Sequence, residues 1–339
     1  MRTRNIFATI ATVASLSGMA GLASAQGIDD PRRADYFKVY EGKTIAFVPV
    51  TMGIDLTEGW ASVLKKQADT LGMKLEIRDP HFSADAGAQA ITSLISEKPD
   101  VLIVHSPDLN SYARLLKKAQ AAGTYVILID NPANFAADAF VGSDWDRLGQ
   151  LEAEAVIKGC GPNSSKKIGL VQGDQVNASS LYQYAGITKV LAKNPDFQVV
   201  AKPDSNWDAT TSRNVTTTML QQHPDICGII DFWDGDASGA AAAIRDAKLQ
   251  DKVFLVTTGG GEKAADCDNL ENGTYGAVVM TELHHQSRDI NAIIKFLLQS
   301  GQPAGTSKAY IYTLEKATTK ADLKPDSCWD LKALKTAAK

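Results

Sequence analysis

The chain has 339 residues, of which 44% are hydrophobic and 22% charged, a composition ordinary for a globular protein with buried cores. Its formal net charge of −4 gives no electrostatic reason to expect nucleic acid or an anionic membrane as a partner. The length accommodates two domains.

The N-terminus has the pattern of a secretory signal. Arg2 and Arg4 precede an apolar run over residues 6–22, and small residues at 23–25 form a cleavage site. Glycines and serines interrupt the apolar run, which favours cleavage over a membrane anchor. We therefore predict a signal peptide at residues 1–25, an irregular N-terminal arm at 26–41 and an exported, soluble mature chain.

Strands and helices alternate through the first half of the chain. Short apolar runs predict strands, and helical spacing of apolar residues predicts helices between them. The predicted strands are 43–50, 74–78, 100–105 and 125–130, and the predicted helices are 60–72, 86–96 and 115–122. Asp55 and Glu58 match a capping box, which predicts a helix start beside the loop at 51–55.

The second half of the chain repeats this alternation of strands and helices. A helix at 145–158 leads to strands at 167–172, 197–201, 226–231, 253–257 and 275–281, with helices at 181–192, 210–222, 237–247 and 284–298. This alternation predicts an α/β protein with two similar, doubly wound parallel-sheet domains. Ligands of such sheets bind beyond the carboxyl ends of the strands, so we expect a cleft between the two domains.

Four cysteines lie beyond the predicted signal: Cys160, Cys227, Cys267 and Cys328. An even number in an oxidising compartment favours two disulfides, with three connectivities open, although four buried thiols remain the alternative. No pair has CxxC spacing, and no histidine is close enough in sequence to indicate a zinc site. We expect no metal and no cofactor.

Six short segments carry a resemblance to a known family. They are Ile45-Ala-Phe-Val48, Gln67-Ala-Asp-Thr-Leu-Gly72, Lys98-Pro-Asp-Val-Leu-Ile-Val104, Gly123-Thr-Tyr-Val-Ile-Leu-Ile-Asp130, Val141-Gly-Ser-Asp144 and His223-Pro-Asp225. By the order and spacing of these segments, the chain resembles the periplasmic sugar-binding proteins of ABC transporters, of the ribose- and galactose-binding type. The likeness covers nearly all of residues 43–314.

The resemblance implies a type I periplasmic binding protein fold, with two lobes joined by a three-crossover hinge. The N-terminal lobe would comprise 42–143 plus 282–309, and the C-terminal lobe 144–281 plus 310–320, leaving 321–339 as a C-terminal extension. It implies a periplasmic receptor, not an enzyme, that captures a small-molecule sugar or polyol and delivers it to an ABC permease. A chemoreceptor is a further partner in such systems.

Positions at the predicted strand ends form the candidate ligand site. They are Thr51, Ile54, Leu56, Thr57, His105, Asp130, Asn131, Trp207, Asp231, Trp233, Asp234, Thr281 and Glu282. Several depart from the ribose-binding pattern: Asn131 stands where the family has arginine, Trp233 replaces an asparagine, and the aspartate expected near Thr257 is missing. We therefore expect a neutral ligand in a pocket less polar than a ribose site. His105 fits ligand contact and packing equally, and Trp145 is interpreted as core or hinge cover.

Three other functions compete with this interpretation. The altered site fits a receptor for a non-sugar metabolite. An exported enzyme would need a catalytic set, for which only His105 with Asp130 offers a base, and no catalytic motif accompanies them. A transcriptional regulator on this fold would need a DNA-binding motif where the chain has its predicted signal.

Overall fold

The computed structural model describes residues 32–337, so the predicted signal peptide at 1–25 lies outside the described residues. Twelve strands form two six-stranded sheets in this part of the chain. In chain order they are β1 Thr44–Val48, β2 Lys74–Ile77, β3 Val101–Val104, β4 Tyr125–Ile129, β5 Ala139–Ser143, β6 Lys167–Val171, β7 Gln198–Ala201, β8 Gly228–Asp231, β9 Phe254–Gly259, β10 Ala277–Met280, β11 Ala309–Thr313 and β12 Lys316–Thr318.

Eleven α-helices accompany the strands of the described chain. They are α1 Arg32–Lys38, α2 Asp55–Leu71, α3 Ala84–Glu97, α4 Ala113–Ala121, α5 Trp145–Cys160, α6 Ala178–Leu191, α7 Ala209–Gln222, α8 Asp234–Asp246, α9 Asp268–Glu271, α10 Leu283–Ser300 and α11 Leu331–Ala337. A π-helical turn at Lys263–Cys267 and a 3₁₀ turn at Lys320–Asp322 complete the set. Among the helices of residues 32–337, none is long and apolar enough to span a membrane.

The two sheets have the same strand order, which confirms the predicted α/β class with two doubly wound sheets. The first runs β2-β1-β3-β4-β5-β11, with all neighbours parallel, and the second runs β7-β6-β8-β9-β10-β12, antiparallel only at β10–β12. The order reverses between β1 and β3, and again between β6 and β8. A crevice forms at each reversal outside the carboxyl ends of the strands, which is where open α/β sheets bind ligands.

Each sheet is buried on both faces, because its strands are continuous apolar runs. Helix α2 covers the first sheet with Trp60, Leu64 and Ala68, which recur every fourth residue and are all buried. The Trp60 indole Nε1 donates to Gln286 Oε1 at 3.1 Å, which ties α2 to α10 in the same lobe. Helix α10 therefore packs on the first sheet although it follows the last parallel strand of the second.

Three crossovers connect the lobes, and the last lies later than predicted. Strand β11 extends the first sheet by pairing with β5, and β12 then joins the second sheet. The chain therefore returns between Thr313 and Lys316, not near Tyr310. Its alternating burial suits β11 to an edge strand, with Tyr310 and Tyr312 exposed. At this crossover the Glu315 carboxylate accepts a hydrogen bond from the Asp144 backbone N–H at 2.7 Å, linking two of the three connections.

Two local predictions are corrected. The arm is not irregular throughout, because α1 is helical and Tyr40 after it is buried in the core of the first lobe. No capping box starts α2: Ile54 is the N-cap residue, and Glu58 accepts a hydrogen bond from the Gly53 N–H instead. Asp55 is the first residue of the helix, and its carboxylate accepts a hydrogen bond from the N–H of the next residue, Leu56.

The disulfides join Cys160 to Cys227 and Cys267 to Cys328, which selects one of the three open connectivities. The first bond lies within the second lobe, between the end of α5 and the residue before β8. The second attaches the C-terminal extension to the π-helical turn.

Helices α5 and α6 approach closely at two glycines. A Cβ atom on Gly149 would overlap the carbonyl oxygen of Gln183, and one on Gly186 would overlap that of Asp146. Close packing of this kind leaves no room for a methyl group.

We predict that Gly149→Ala lowers the free energy of unfolding by about 1–3 kcal/mol, because the added methyl forces the helices apart. Urea unfolding monitored by circular dichroism measures this change. Glu154→Ala, on the exposed face of the same helix, serves as control and is expected to shift stability by under about 0.5 kcal/mol. Equal stability of the two variants would contradict the packing argument.

Candidate functional site

The carboxyl ends of the two sheets face each other across a cavity of about 410 Å³. Both lobes supply its walls, as expected for a small-molecule site at a domain interface. The lining residues are Val50, Ile54, Leu56, Phe82, Ser83, Ala84, His105, Pro107, Tyr112, Asp130, Asn131, Trp145, Asp174, Asn177, Ser179, Asn206, Trp207, Asp208, Phe232, Trp233 and Thr258.

The polar floor of the cavity comes from the first lobe, immediately after β3 and β4. Asp130 has a left-handed backbone (φ +63°), which turns its side chain away from the direction of the strand. Its N–H donates to the Val141 carbonyl at 2.8 Å, and the Trp145 indole donates to its carbonyl oxygen at 2.8 Å. Gly142 is required beside this turn, because a Cβ there would lie 2.7 Å from the Asp130 Cα. The conformation of Asp130 is thus held from both sides.

Three buried polar atoms of the floor have no partner among the described residues: His105 Nδ1, Asp130 Oδ1 and Asn131 Oδ1. The other atoms of these side chains are engaged. His105 Nε2 lies 3.4 Å from Asp130 Oδ2, and Asn131 Nδ2 donates to the Ser106 carbonyl at 3.0 Å. Buried polar groups are almost always hydrogen-bonded, so three free atoms in one cavity wall indicate a site for a polar ligand.

Indole rings form the opposite wall. Trp207 and Trp233 meet edge to face, with ring centroids 6.3 Å apart. Each ring lies against a glycine: a Cβ on Gly173 would overlap the Trp207 ring, and one on Gly235 would overlap the Trp233 ring. The glycines fix the direction of both rings, so that the second lobe presents flat apolar surfaces to the polar floor.

The electrostatic character of the cavity follows from its acidic residues. Asp130, Asp174 and Asp208 line it, and among the described lining residues there is no lysine or arginine. Asp208 caps α7, and the hydrogen bond from the Thr211 N–H lowers the pKa of its carboxyl. The cavity therefore disfavours an anion.

Seven of the thirteen predicted site residues come together in the cavity lining: Ile54, Leu56, His105, Asp130, Asn131, Trp207 and Trp233. The structure places the other six outside the lining. The hydroxyls of Thr51 and Thr57 lie close to the Met52 and Ile54 carbonyls, at 3.0 and 3.4 Å. Both hydroxyls thus donate to backbone carbonyls just before the start of α2.

Two predicted aspartates lie within the second lobe. Asp231 is fully buried and accepts from Ser212 Oγ at 2.9 Å, and burial, with the charge of Asp236, raises the pKa of its carboxyl well above the ordinary value. Asp234 begins α8, where burial and the nearby Asp266 raise its pKa in the same way. Their carboxyls face other carboxyls and not the cavity.

Thr281 and Glu282 lie in the crossover before α10. Thr281 Oγ1 donates to the Gly259 carbonyl at 3.3 Å, and Glu282 pairs with His285 at 3.3 Å. These contacts fix the second crossover. Among residues 34–337, no group of three histidine, cysteine, aspartate or glutamate side chains is arranged to hold a metal ion.

Sequence reasoning missed several lining residues. Trp145, interpreted as core or hinge cover, lies at the first crossover and also lines the cavity; the cue was its position directly after β5, beside the β4 end. Asn177 caps α6 through its Oδ1 and donates from Nδ2 to the Pro107 carbonyl at 2.7 Å. That bond joins the two lips of the cleft. Nothing in the sequence relates residues 70 positions apart in this way.

A protein-family profile described as "Periplasmic binding protein domain" matches residues 45–303 of the chain. A D-apiose import binding protein of Actinobacillus succinogenes is 28% identical over 228 residues, covering 66% of this chain and 72% of that protein. A ribose import binding protein of Bacillus subtilis is 26% identical over 203 residues, covering 60% of this chain and 64% of that protein.

Solved structures share the fold. A carbohydrate transporter solute-binding protein from Agrobacterium radiobacter, in complex with D-arabinose, superimposes with a TM-score of 0.76 at 19% identity, covering 86% of this chain and 98% of that one. A Caulobacter myo-inositol binding protein, bound to myo-inositol, gives 0.74 at 20% identity and covers 82% and 93%. The predicted two-lobed periplasmic binding protein architecture is thereby confirmed.

We predict that Gly173→Ala reorients the Trp207 ring, because the new methyl occupies the space of the indole. The expected result is a changed near-ultraviolet circular dichroism spectrum with an unchanged far-ultraviolet spectrum. Gln175→Ala, an exposed position in the same loop, is the matched control. A near-ultraviolet spectrum identical to that of the parent protein would show that the glycine does not set the ring.

We also predict that the protein becomes less stable as pH rises from about 5 to 8. Burial raises the pKa of Asp266 to about 7, of Asp236 to about 6 and of Glu315 to about 7. In this range the folded state holds protons that the unfolded chain, with its ordinary pKa values, has released. The stabilisation is complete below the unfolded pKa values and is lost as pH passes the folded ones.

Urea midpoints measured at pH 5, 6, 7 and 8 test this dependence. Asp266→Asn is expected to reduce the fall, whereas Asp251→Asn, at an exposed position, should leave it unchanged. A midpoint that rises with pH over the same range would contradict the assignment.

Proposed function

Because the chain belongs to the periplasmic binding protein family, as its match over residues 45–303 shows, we propose that it captures a small neutral sugar or polyol for an ABC importer. Members of this family bind solutes and are not enzymes. The observation that carries the proposal is the set of three unpartnered buried atoms, on His105, Asp130 and Asn131, opposite the indole wall.

Hydroxyl groups match this floor chemically. A carboxylate and an amide oxygen accept hydrogen bonds from hydroxyls, and the free imidazole nitrogen donates or accepts according to its tautomer. The faces of Trp207 and Trp233 suit the C–H faces of a ring or carbon chain. With no lysine or arginine among the described lining residues, the site lacks a partner for a sugar acid or sugar phosphate.

The similar proteins support the same ligand class. The D-apiose and ribose import binding proteins are named for sugars, and the compared structures contain D-arabinose and myo-inositol. We propose transfer of the ligand to a membrane permease after the lobes close, with the Asn177–Pro107 bond between the lips formed in the closed state. Export would depend on the predicted signal at residues 1–25.

A sensor or chemoreceptor is a further proposed partner. Another structure of this fold, with a TM-score of 0.73 at 17% identity, is a complex described as XylFII–LytSN. That complex supports such a partner by analogy of fold alone.

Thermal unfolding of the mature protein with a panel of ligands tests the proposal. The panel comprises pentoses, hexoses, tetritols, pentitols, inositols, sugar acids and non-sugar metabolites. A ligand that binds only the folded state stabilises it by about 2.7 kcal/mol at one hundred times its Kd. We expect a shift from a neutral sugar or polyol that is recovered unchanged, and none from the matching sugar acid.

Other outcomes have definite meanings. A shift produced only by a non-sugar metabolite would remove the protein from the sugar receptors, and turnover of the compound would identify an enzyme.

We predict that Asp130→Asn weakens binding of the identified ligand by roughly 10- to 150-fold, because a hydrogen bond to a charged group contributes about 1.5–3 kcal/mol. Isothermal titration calorimetry measures the change. Asp196→Asn, at an exposed position away from the cleft, is the control and should bind as the parent does. Undiminished affinity in Asp130→Asn would remove this carboxylate from the site.

A further inference from the structure

The C-terminal extension contacts both lobes. After β12 the chain reaches Cys328, continues through Trp329 and ends its described part in α11. We call residues 328–337 the C-terminal clasp. The family profile ends at residue 303, so the clasp lies outside the region that relates this chain to the family.

On one side the clasp is fixed to the second lobe. The Cys267–Cys328 disulfide attaches it covalently to the π-helical turn. Trp329 then makes three hydrogen bonds with the backbone of residues 260–263, at 2.7 to 3.0 Å, one of them from its indole nitrogen to the Gly260 carbonyl. The Leu331 N–H adds a fourth bond, to Glu262 Oε1 at 3.2 Å.

On the other side the clasp packs into the first lobe. Trp329 is 7% exposed and belongs to the core of that lobe, together with Leu283 of α10. Gly59 of α2 faces the ring closely, since a Cβ there would lie 3.1 Å from its edge. Leu331 and Leu334 pack on the same core. Lys335 Nζ forms an ion pair with Glu58 Oε2 at 2.6 Å.

These contacts constrain the hinge. If the lobes separate, the first turn of α2 moves away from residues 260–263, and the clasp cannot stay seated on both. Either Trp329 leaves the apolar core or α11 leaves α2, and in both cases buried apolar surface becomes exposed to water. The start of α2 also contributes to the cavity wall, through its N-cap residue Ile54 and through Leu56 in its first turn.

We propose that the clasp is a fourth connection between the lobes, which restricts their opening and keeps the ligand-free protein largely closed. The proposal rests on the hinge closure proposed above, and it concerns the ligand-free equilibrium between open and closed forms. The apparent affinity of a ligand for the closed form falls when much of the free protein is open. A protein that is already largely closed before binding therefore binds such a ligand more tightly.

Small-angle X-ray scattering of the ligand-free full-length mature protein tests the clasp, with the radius of gyration as readout. We expect the radius to increase in Cys267→Ser/Cys328→Ser and in Trp329→Ala. Cys160→Ser/Cys227→Ser is the matched control, because it removes a disulfide that lies within the second lobe. That protein should retain the radius of the parent.

Unchanged radii in both clasp variants, with native circular dichroism, would overturn the proposal and leave the clasp a stabilising segment only. If those variants do not fold, Leu334→Ser decides, since it loosens the first-lobe contact and leaves the disulfide and Trp329 in place. An increased radius in Leu334→Ser supports the clasp, and an unchanged radius overturns it. No ligand is needed, so failure of the sugar proposal in the thermal panel would not affect this result.

Discussion

The left-handed turn at Asp130 determines the geometry of the cavity. A non-glycine residue in this conformation is strained by roughly 1–2 kcal/mol, so the surrounding structure must hold it. The Asp130 N–H donates to the Val141 carbonyl and its own carbonyl accepts from the Trp145 indole, while Gly142 leaves the space that the turn occupies. Because Trp145 begins the first helix of the second lobe, the polar floor is tied to the first crossover. The cavity-lining Asp130 and the first crossover thus share one set of contacts.

Carboxylates have two different environments around the cleft, which differ in the neighbouring groups although all of these carboxylates are buried. Asp130, on the cavity lining, keeps one buried carboxylate oxygen without a partner among the described residues. Asp231 and Asp234 sit instead against Asp236 and Asp266, where burial raises their pKa values and favours shared protons. Such groups make the folded protein more stable at acidic pH than at neutral pH, and neither residue belongs to the cavity lining. A carboxylate at a strand end is therefore not by itself a ligand contact.

This distinction explains how far the sequence could predict the site. Apolar runs and helical spacing predicted nine of the twelve described strands, most of which are short and buried. They did not predict β5 or the edge strands β11 and β12. Strand ends correctly indicated which loops face the cleft, and the side chains of His105, Asp130, Trp207 and Trp233 lie there. The pattern does not encode which side of a turn a residue occupies, so Thr51, Thr57 and the buried aspartates were indistinguishable from cavity residues. Long-range contacts such as Asn177 with Pro107 were equally inaccessible.

The extension after β12 was unassigned for a related reason: a short polar segment with one tryptophan has no periodicity to interpret. Its structure depends on Cys267, sixty-one residues earlier, and on glycines at 259–261 whose sequence suggests only a flexible turn. Gly261 has a left-handed backbone (φ +80°), which favours glycine, and its carbonyl accepts from the Trp329 N–H while the Gly260 carbonyl accepts from the Trp329 indole. The glycine segment thus provides the backbone groups to which the clasp binds, beside the second crossover. The same segment follows β9, whose Thr258 lines the cavity, so the cavity wall and the contact with the clasp lie within three residues of one strand end.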